Sequence, residues 1–137
     1  GDMKEKMMPW LMPIQDNMET ILGEDKSYLD EFIERGKIEI EALTYIRGRS
    51  INNAFIVIDE AQNLSVHEIK TILTRVGEGT KIVLTGDIEQ IDNVYIDETS
   101  NGLVHAVEKF KDYDIAGHVS LLKGERSKVA TIAANVL

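Results

Sequence analysis

The sequence predicts an α/β fold, a parallel sheet with flanking helices, and three observations carry that prediction. FIVID (55–59) and KIVLTGD (81–87) are apolar runs of strand length, and FIVID is apolar on both faces, as in a central strand covered by helices on either side. The stretch between them, SVHEIKTILTRVGEG, places Val66, Ile69, Ile72, Leu73 and Val76 on one helical face. Strand, helix and strand in that order make a right-handed parallel crossover, because parallel neighbours need a long connection. Both runs also end in acids, Asp59-Glu60 and Asp87.

The other elements follow in chain order. KEKMMPWLMPIQDNMETILG has prolines at 9 and 13, expected to interrupt any helix begun before them. After Pro13, Ile14, Met18, Ile21 and Leu22 share a helical face that ends at Gly23. Met3, Met7, Met8 and Met12 serve either as adaptable core filling or as a flexible contact patch. SYLDEFIERG reads as a short helix with Ser27 as N-cap and Gly36 as its stop. IEIEAL (38–43) alternates apolar and acidic residues, the pattern of a strand with one wet face near a sheet edge. Ser65 and Glu68 form a capping box for the central helix, and Gly77 is its expected stop. NGLVHAVEKF (101–110) reads as a helix with Asn101 near its start and Leu103, Val104, Val107 and Phe110 inward. HVSLL (118–122) reads as a third strand and SKVATIAANVL (127–137) as a last helix. The organisation is a helical lead-in over 1–36 and an α/β core over 37–137, with loops at 86–100 and 123–126 at the strands' C-terminal ends.

Composition narrows the function classes. At 137 residues, 43% hydrophobic and 28% charged, the chain has the size and balance of one folded soluble domain. Its 15 basic and 24 acidic residues leave a net charge of −9, which argues against nucleic-acid binding by bulk electrostatics. No apolar run reaches the length of a membrane span and GDMKEKMMPW lacks the apolar region of a signal peptide, so no membrane partner is expected and the expected location is the cytoplasm. With no cysteine, disulfides and thiolate metal sites are excluded, and His67, His105 and His118 lack the spacing of a zinc site.

In open parallel sheets ligands bind at the carboxyl edge of the strands, where loops and helix N-termini converge. Asp59, Glu60, Asp87 and Gln90 all fall on that edge. An aspartate after an apolar strand can hold Mg²⁺ through water, and a following glutamate can orient or deprotonate an attacking water. This is the Walker B arrangement of nucleotide hydrolases, although an acidic pair after a strand is by itself more often a solvated turn. The neighbouring TGDIEQ adds Thr85, Asp87 and Gln90, an amide and a carboxylate suited to reading a terminal phosphate and its metal.

IVIDEAQN, then a helix, then VLTGDIEQID resembles motifs II and III of superfamily 1 helicases, and RGRSINNAF, LTRVGEGTK and LLKGERSK are similar to the PhoH family of ATPases. The similarity runs through nearly all 137 residues, and DNVYIDETSNGL and IAGHVSLLKGERS resemble most the members that carry an N-terminal PIN ribonuclease domain. The resemblance implies part of a P-loop NTPase, a RecA/helicase-like sheet whose P-loop strand is missing, with ATP and Mg²⁺ as ligands. It implies Asp59 as the metal aspartate, Glu60 as the catalytic glutamate, and Gln62 and Gln90 as sensors of the phosphates with Asp87 in support. Arg126 is the first candidate for the arginine that meets transition-state charge, with Arg47, Arg49 and Arg75 as rivals. RNA enters only through the resemblance, as a partner of the full-length protein, and a homo-oligomer is expected.

One departure bears on activity. The phosphate-cradling G-x-x-x-x-G-K-[ST] is expected upstream of residue 1, and GEGTK (77–81) and GERSK (124–128) have the wrong spacing to replace it. The 137-residue segment alone is therefore expected to be inactive, and its strand 81–85 to be an unpaired edge that self-associates or is covered by the N-terminal segment. Two other readings stay open: a binding or assembly module whose Asp-Glu pair caps a loop, and a phosphoryl-accepting domain with Asp59 as acceptor.

Overall fold

The computed structural model describes residues 3–23, 27–43, 46 and 48–137. The chain divides into two compact units, Gly1–Arg47 and Gly48–Leu137.

The first unit holds helices α1 (Met3–Leu22) and α2 (Ser27–Glu34), which pack on each other. Contrary to the sequence expectation, α1 runs through both Pro9 and Pro13. Each proline removes one i→i−4 bond, but the flanking Lys, Glu, Met and Leu residues are strong helix formers and the other bonds of a 20-residue helix remain. Ile14, Met18 and Leu22 lie half-buried on one row, whereas Ile21, expected on that face, is 83% exposed. Gly23 ends the helix at φ 88°, where a side chain would be strained. Helix α2 buries Leu29 and stacks Tyr28 on Phe32 with centroids 6.5 Å apart. It stops as expected at Gly36 (φ 68°): Gly36 N–H donates to Ile33 O (3.0 Å) and Lys37 N–H to Phe32 O (2.8 Å), the bond pair of a Schellman motif.

The strand expected over 38–43 is absent; the backbone there is irregular. Ile38 and Ile40 are half-buried and Glu39 and Glu41 exposed, so the alternation decides what faces inward, but no ladder forms. Alternation fixes the faces of a strand without supplying the neighbour it must bond to.

The second unit is built on strands β1 (Phe55–Ile58) and β2 (Lys81–Leu84), joined through helix α3 (Val66–Leu73). The strands pair in parallel, Phe55 opposite Lys81 and Ile58 opposite Leu84, as the crossover pattern predicts. Ser65 caps α3, its hydroxyl accepting from Glu68 N–H at 3.1 Å. The helix ends at Leu73, earlier than expected, because Val76 leaves it to bridge Ile51 while Ile51 N–H donates to Arg75 O (2.9 Å). Helix α4 (Gly102–Phe110) packs on α3, and α5 (Lys128–Val136) follows.

The core of this unit is small: Ile58, Ala61, Ile69, Ile72 and Ala106 are its buried apolar residues. Within this unit only one face of the sheet is covered among the described residues, where the sequence predicts helices on both sides. Ile56, Ile58, Ile82 and Leu84 face inward, whereas Phe55 (67% exposed), Val57 (56%) and Val83 face solvent. The third strand expected at 118–122 is also absent. Val119, Leu121 and Leu122 stand almost fully exposed, because an apolar run becomes a strand only when an adjacent edge accepts its bonds. Among the described residues, no helix is long and apolar enough to cross a membrane.

Candidate functional site

Parallel pairing brings the C-terminal ends of β1 and β2 side by side, and the backbone stays tied past the last ladder pair. Thr85 N–H donates to Ile58 O and Ala61 N–H to Thr85 O, both at 2.9 Å. The acids and amides singled out in the sequence therefore meet on one edge. Asp59 Oδ1 accepts from the Thr85 hydroxyl (2.8 Å) and from Glu60 N–H (3.0 Å), which fixes the carboxylate, while Oδ2 takes no bond from the described residues.

Glu60 sits at φ 55°, ψ 36°, in the left-handed region that costs a non-glycine residue about 1 kcal/mol. This one residue turns the chain from β1 into the helical turn Ala61–Asn63 and carries the Glu60 side chain off the strand axis. Strain at a carboxylate on this strand edge marks the position as a candidate functional one.

Gln62 is fully enclosed, and its amide makes three hydrogen bonds, with both donors used. Its Nε2 donates to Glu60 Oε2 (2.5 Å) and to Gln90 O (3.1 Å), and its Oε1 accepts from Asp87 N–H (3.2 Å). One buried side chain thus ties the first acidic loop to the second. Gly86 permits the approach, since a Cβ there would stand 2.6 Å from Gln62 Oε1 and 2.8 Å from Leu103 Cδ2. Asp87 turns into its own loop, with Oδ1 accepting from Glu89 N–H (3.0 Å) and Oδ2 from Gln90 Nε2 (2.8 Å).

Sequence reasoning passed over Asn63 and Asn93. Asn63 Oδ1 accepts from Asp92 N–H (2.7 Å) and Asn93 N–H (3.1 Å), and Asn93 Nδ2 donates to Asn63 O (3.1 Å). The available signal was two asparagines, each just beyond an acid-and-glutamine motif, a residue type that bonds backbone in turns.

The arginines do not join this cluster. Arg126 is exposed on the segment before α5, with no hydrogen bond or ion pair among the described residues. Arg49 is exposed ahead of β1, and Arg75 follows α3 next to the Ile51 bridge, so both stand toward the end of the strand pair opposite Asp59 and Glu60. At about 3.3 Å per residue, a stretch leading from Arg49 to Glu60 spans the whole sheet. Arg47 lies outside the described residues.

The donor set suits a hydrated cation held mainly by phosphate. Among the described residues no group of three His, Cys, Asp or Glu side chains converges on a metal position. Mg²⁺ keeps several waters and takes one or two carboxylates beside substrate phosphates, a demand that exposed Asp59, with no bond to Oδ2 from the described residues, fits.

Beyond the edge, the loop into α4 is organised by Asp97. Its Oδ1 accepts from the Thr99 hydroxyl (2.7 Å), Thr99 N–H and Ser100 N–H (both 2.8 Å), and these bonds, the Thr99 hydroxyl first, hold the carboxyl at about 2, below its usual 3.8. Because the folded value is the lower one, the contribution to stability is complete above the ordinary value and disappears as pH falls through about 2. A carboxyl NMR titration of Asp97 is expected to show its midpoint near 2. A midpoint at the usual 3.8 would show that the turn is not formed in solution. Asn101, fully buried, links this turn to α4, donating to Glu98 O (3.1 Å) and accepting from Val104 N–H (2.9 Å).

Comparison with known proteins places these features in context. The family described as PhoH-like protein matches residues 1–134. A protein of Bacillus subtilis (strain 168) called Protein PhoH2 is 57% identical over 139 residues, spanning 100% of this chain and 31% of that protein. Protein PhoH2 of Mycolicibacterium smegmatis is 37% identical over 137 residues, again 31% of its length. A PhoH-like protein of Bacillus subtilis is 42% identical over 114 residues, covering 83% of this chain and 34% of that protein. The chain thus spans about a third of the length of the relatives it matches.

Proposed function

The chain belongs to the PhoH family, and from that premise we propose that it carries the metal and water half of an ATP-hydrolysing site in a P-loop ATPase. The observation that supports this most is the tie between the two strand ends, Asp59 pinned by Thr85 and Glu60 joined through buried Gln62 to the Gln90 loop. A solvated turn needs neither a strained glutamate nor a buried, three-bonded amide beside it.

In this reading Asp59 would hold Mg²⁺, through the Oδ2 that takes no bond from the described residues. Mg²⁺, when bound, neutralises charge on the phosphates. Glu60 orients an attacking water and accepts its proton. The Gln90 amide faces the terminal phosphate, and Gln62 responds to it through its bonds to Gln90 and Glu60 rather than by direct contact, with Asp87 shaping the loop between. The phosphate cradle that completes the site is not among residues 1–137, so we place it elsewhere in the full-length protein, along with any PIN domain, and assign these residues to the C-terminal part of the ATPase domain. RNA remodelling in the cytoplasm follows from the family resemblance. The net charge of −9 assigns RNA contact to other parts of the protein.

The protein is also proposed to be a homo-oligomer. Arg49 stands toward the end of β1 opposite Glu60 and Arg126 makes no bond to the cluster, so we propose that an arginine that meets phosphate charge is offered to a neighbouring subunit. The open sheet face at Phe55, Val57 and Val83 and the outer edge of β2 supply apolar surface for association. Sedimentation of the full-length protein is expected to give more than one chain per particle, and a monodisperse monomer would remove this part of the reading. Hydrolysis itself is tested by phosphate release from ATP. Turnover is expected to require Mg²⁺ and to stop on chelation, and full turnover in chelator, or none at all, would refute the assignment.

A further inference from the structure

We propose that Asn63 and Asn93 are positioning residues that lock the loop bearing Gln90 onto the loop bearing Glu60. The inference rests on the reading of Glu60 as the catalytic carboxylate. Each asparagine side chain holds the other's backbone. Asn63 Oδ1 gathers the N–H groups of Asp92 and Asn93 at 2.7 and 3.1 Å, and Asn93 Nδ2 returns a bond to Asn63 O at 3.1 Å. Asn93 Oδ1 also accepts from Tyr95 N–H (3.1 Å), so its amide serves the loop with both ends.

This lock lies one residue from Gln62, whose three bonds join Glu60, Asp87 and Gln90. Neighbouring side chains therefore clamp the second loop at two places, near Asp87–Gln90 and again at Asp92–Asn93. The two clamps have different characters. Gln62 is fully enclosed and bonded to a carboxylate that also faces the reaction, so it cannot hold the loop independently of Glu60's state. The side chains of Asn63 and Asn93 make no hydrogen bond to Asp59, Glu60 or Gln90; their bonds go to backbone and do not involve the Glu60 carboxylate. They are the fixed point about which Gln90 is set. Release of Asp92 and Asn93 lets the backbone two residues from Gln90 drift, and misplacement of about 1 Å in a reacting arrangement costs on the order of 10²-fold in rate.

The test uses the full-length protein, three substitutions in the lock and Glu60→Gln as the catalytic reference. Asn63→Leu keeps the shape and removes the acceptor; Asn63→Asp keeps an oxygen for both N–H groups; Asn93→Asp keeps the acceptor for Tyr95 and removes the Nδ2 donor. Asn63→Leu is expected to lower kcat for Mg²⁺-dependent ATP hydrolysis by about 10- to 100-fold with KM little changed, the mark of lost transition-state geometry. Asn63→Asp is expected to restore most of the rate, and amide exchange at Asp92 and Asn93 to be fast in the leucine variant and slow in the aspartate variant. A wild-type kcat in Asn63→Leu beside an inactive Glu60→Gln refutes the lock and leaves the catalytic reading standing, whereas an active Glu60→Gln refutes that reading. Equal loss in Asn63→Leu and Asn63→Asp refutes the acceptor role. If Asn63→Leu does not fold, Asn93→Asp decides: a several-fold fall in kcat supports the lock, and an unchanged kcat overturns it.

Discussion

Glu60→Gln in the full-length protein is expected to lower Mg²⁺-dependent ATP turnover by about 10²- to 10⁴-fold while ATP binding persists. The substitution isolates the carboxylate's charge and basicity. A glutamine has the same length, its amide oxygen can still accept from Gln62 Nε2, and the backbone at φ 55° is no more strained for glutamine than for glutamate. What disappears is a group able to take a proton from water. Steady-state phosphate release, with nucleotide binding measured in parallel, checks the prediction. Undiminished turnover would remove Glu60 from the mechanism and reduce the Asp-Glu pair to the end of a strand.

The largest expected effect on stability comes from Gly102→Ala. A Cβ on Gly102 would stand 2.3 Å from Ile69 Cγ1, 2.5 Å from Ser65 O and 2.9 Å from Ser65 C. Two of these atoms are backbone, at the point where Ser65 bridges Asn101 and Gly102 N–H donates to Leu64 O at 2.7 Å. Relief of the clash requires α3 and α4 to separate and disturbs the buried Ile69 and Asn101 together. Destabilisation of about 3 kcal/mol is expected, the upper range for overpacking a tight site. Gly117→Ala, at a position with open space around it, is the control and is expected to change stability little. Denaturant unfolding of both variants checks this; an equal effect at the two positions would contradict the packing of α3 on α4.

How much of this was legible in the residues depended on whether the governing contact was local. Ser65 reads as a helix cap because a cap is decided within four residues, and it does cap its helix; Asn101, placed only near the start of its helix, is the cap there as well. The parallel pair β1 and β2 was legible because the helix between them leaves few other arrangements. The strands expected at 38–43 and 118–122 failed because a strand needs a distant partner that no local pattern names. Pro9 and Pro13 misled in the opposite direction, a local rule overridden by the rest of a long helix. At the candidate site, chemistry singled out Asp59, Glu60 and Gln90, but the enclosure of Gln62 and the cross-loop bonds of Asn63 depend on residues 25 to 30 positions away.

Those cross-loop bonds have a consequence for how the unit opens. Together with the strand ladder they close the chain from residue 60 to residue 93 into a ring of noncovalent links, with α3 and β2 inside it. Closing a loop of about thirty residues is entropically costly once and cheap to maintain, so each link is reinforced by the others. The ring is therefore expected to exchange its amides as one cooperative unit, with its opening separating the two acidic loops and unpairing the sheet in the same event.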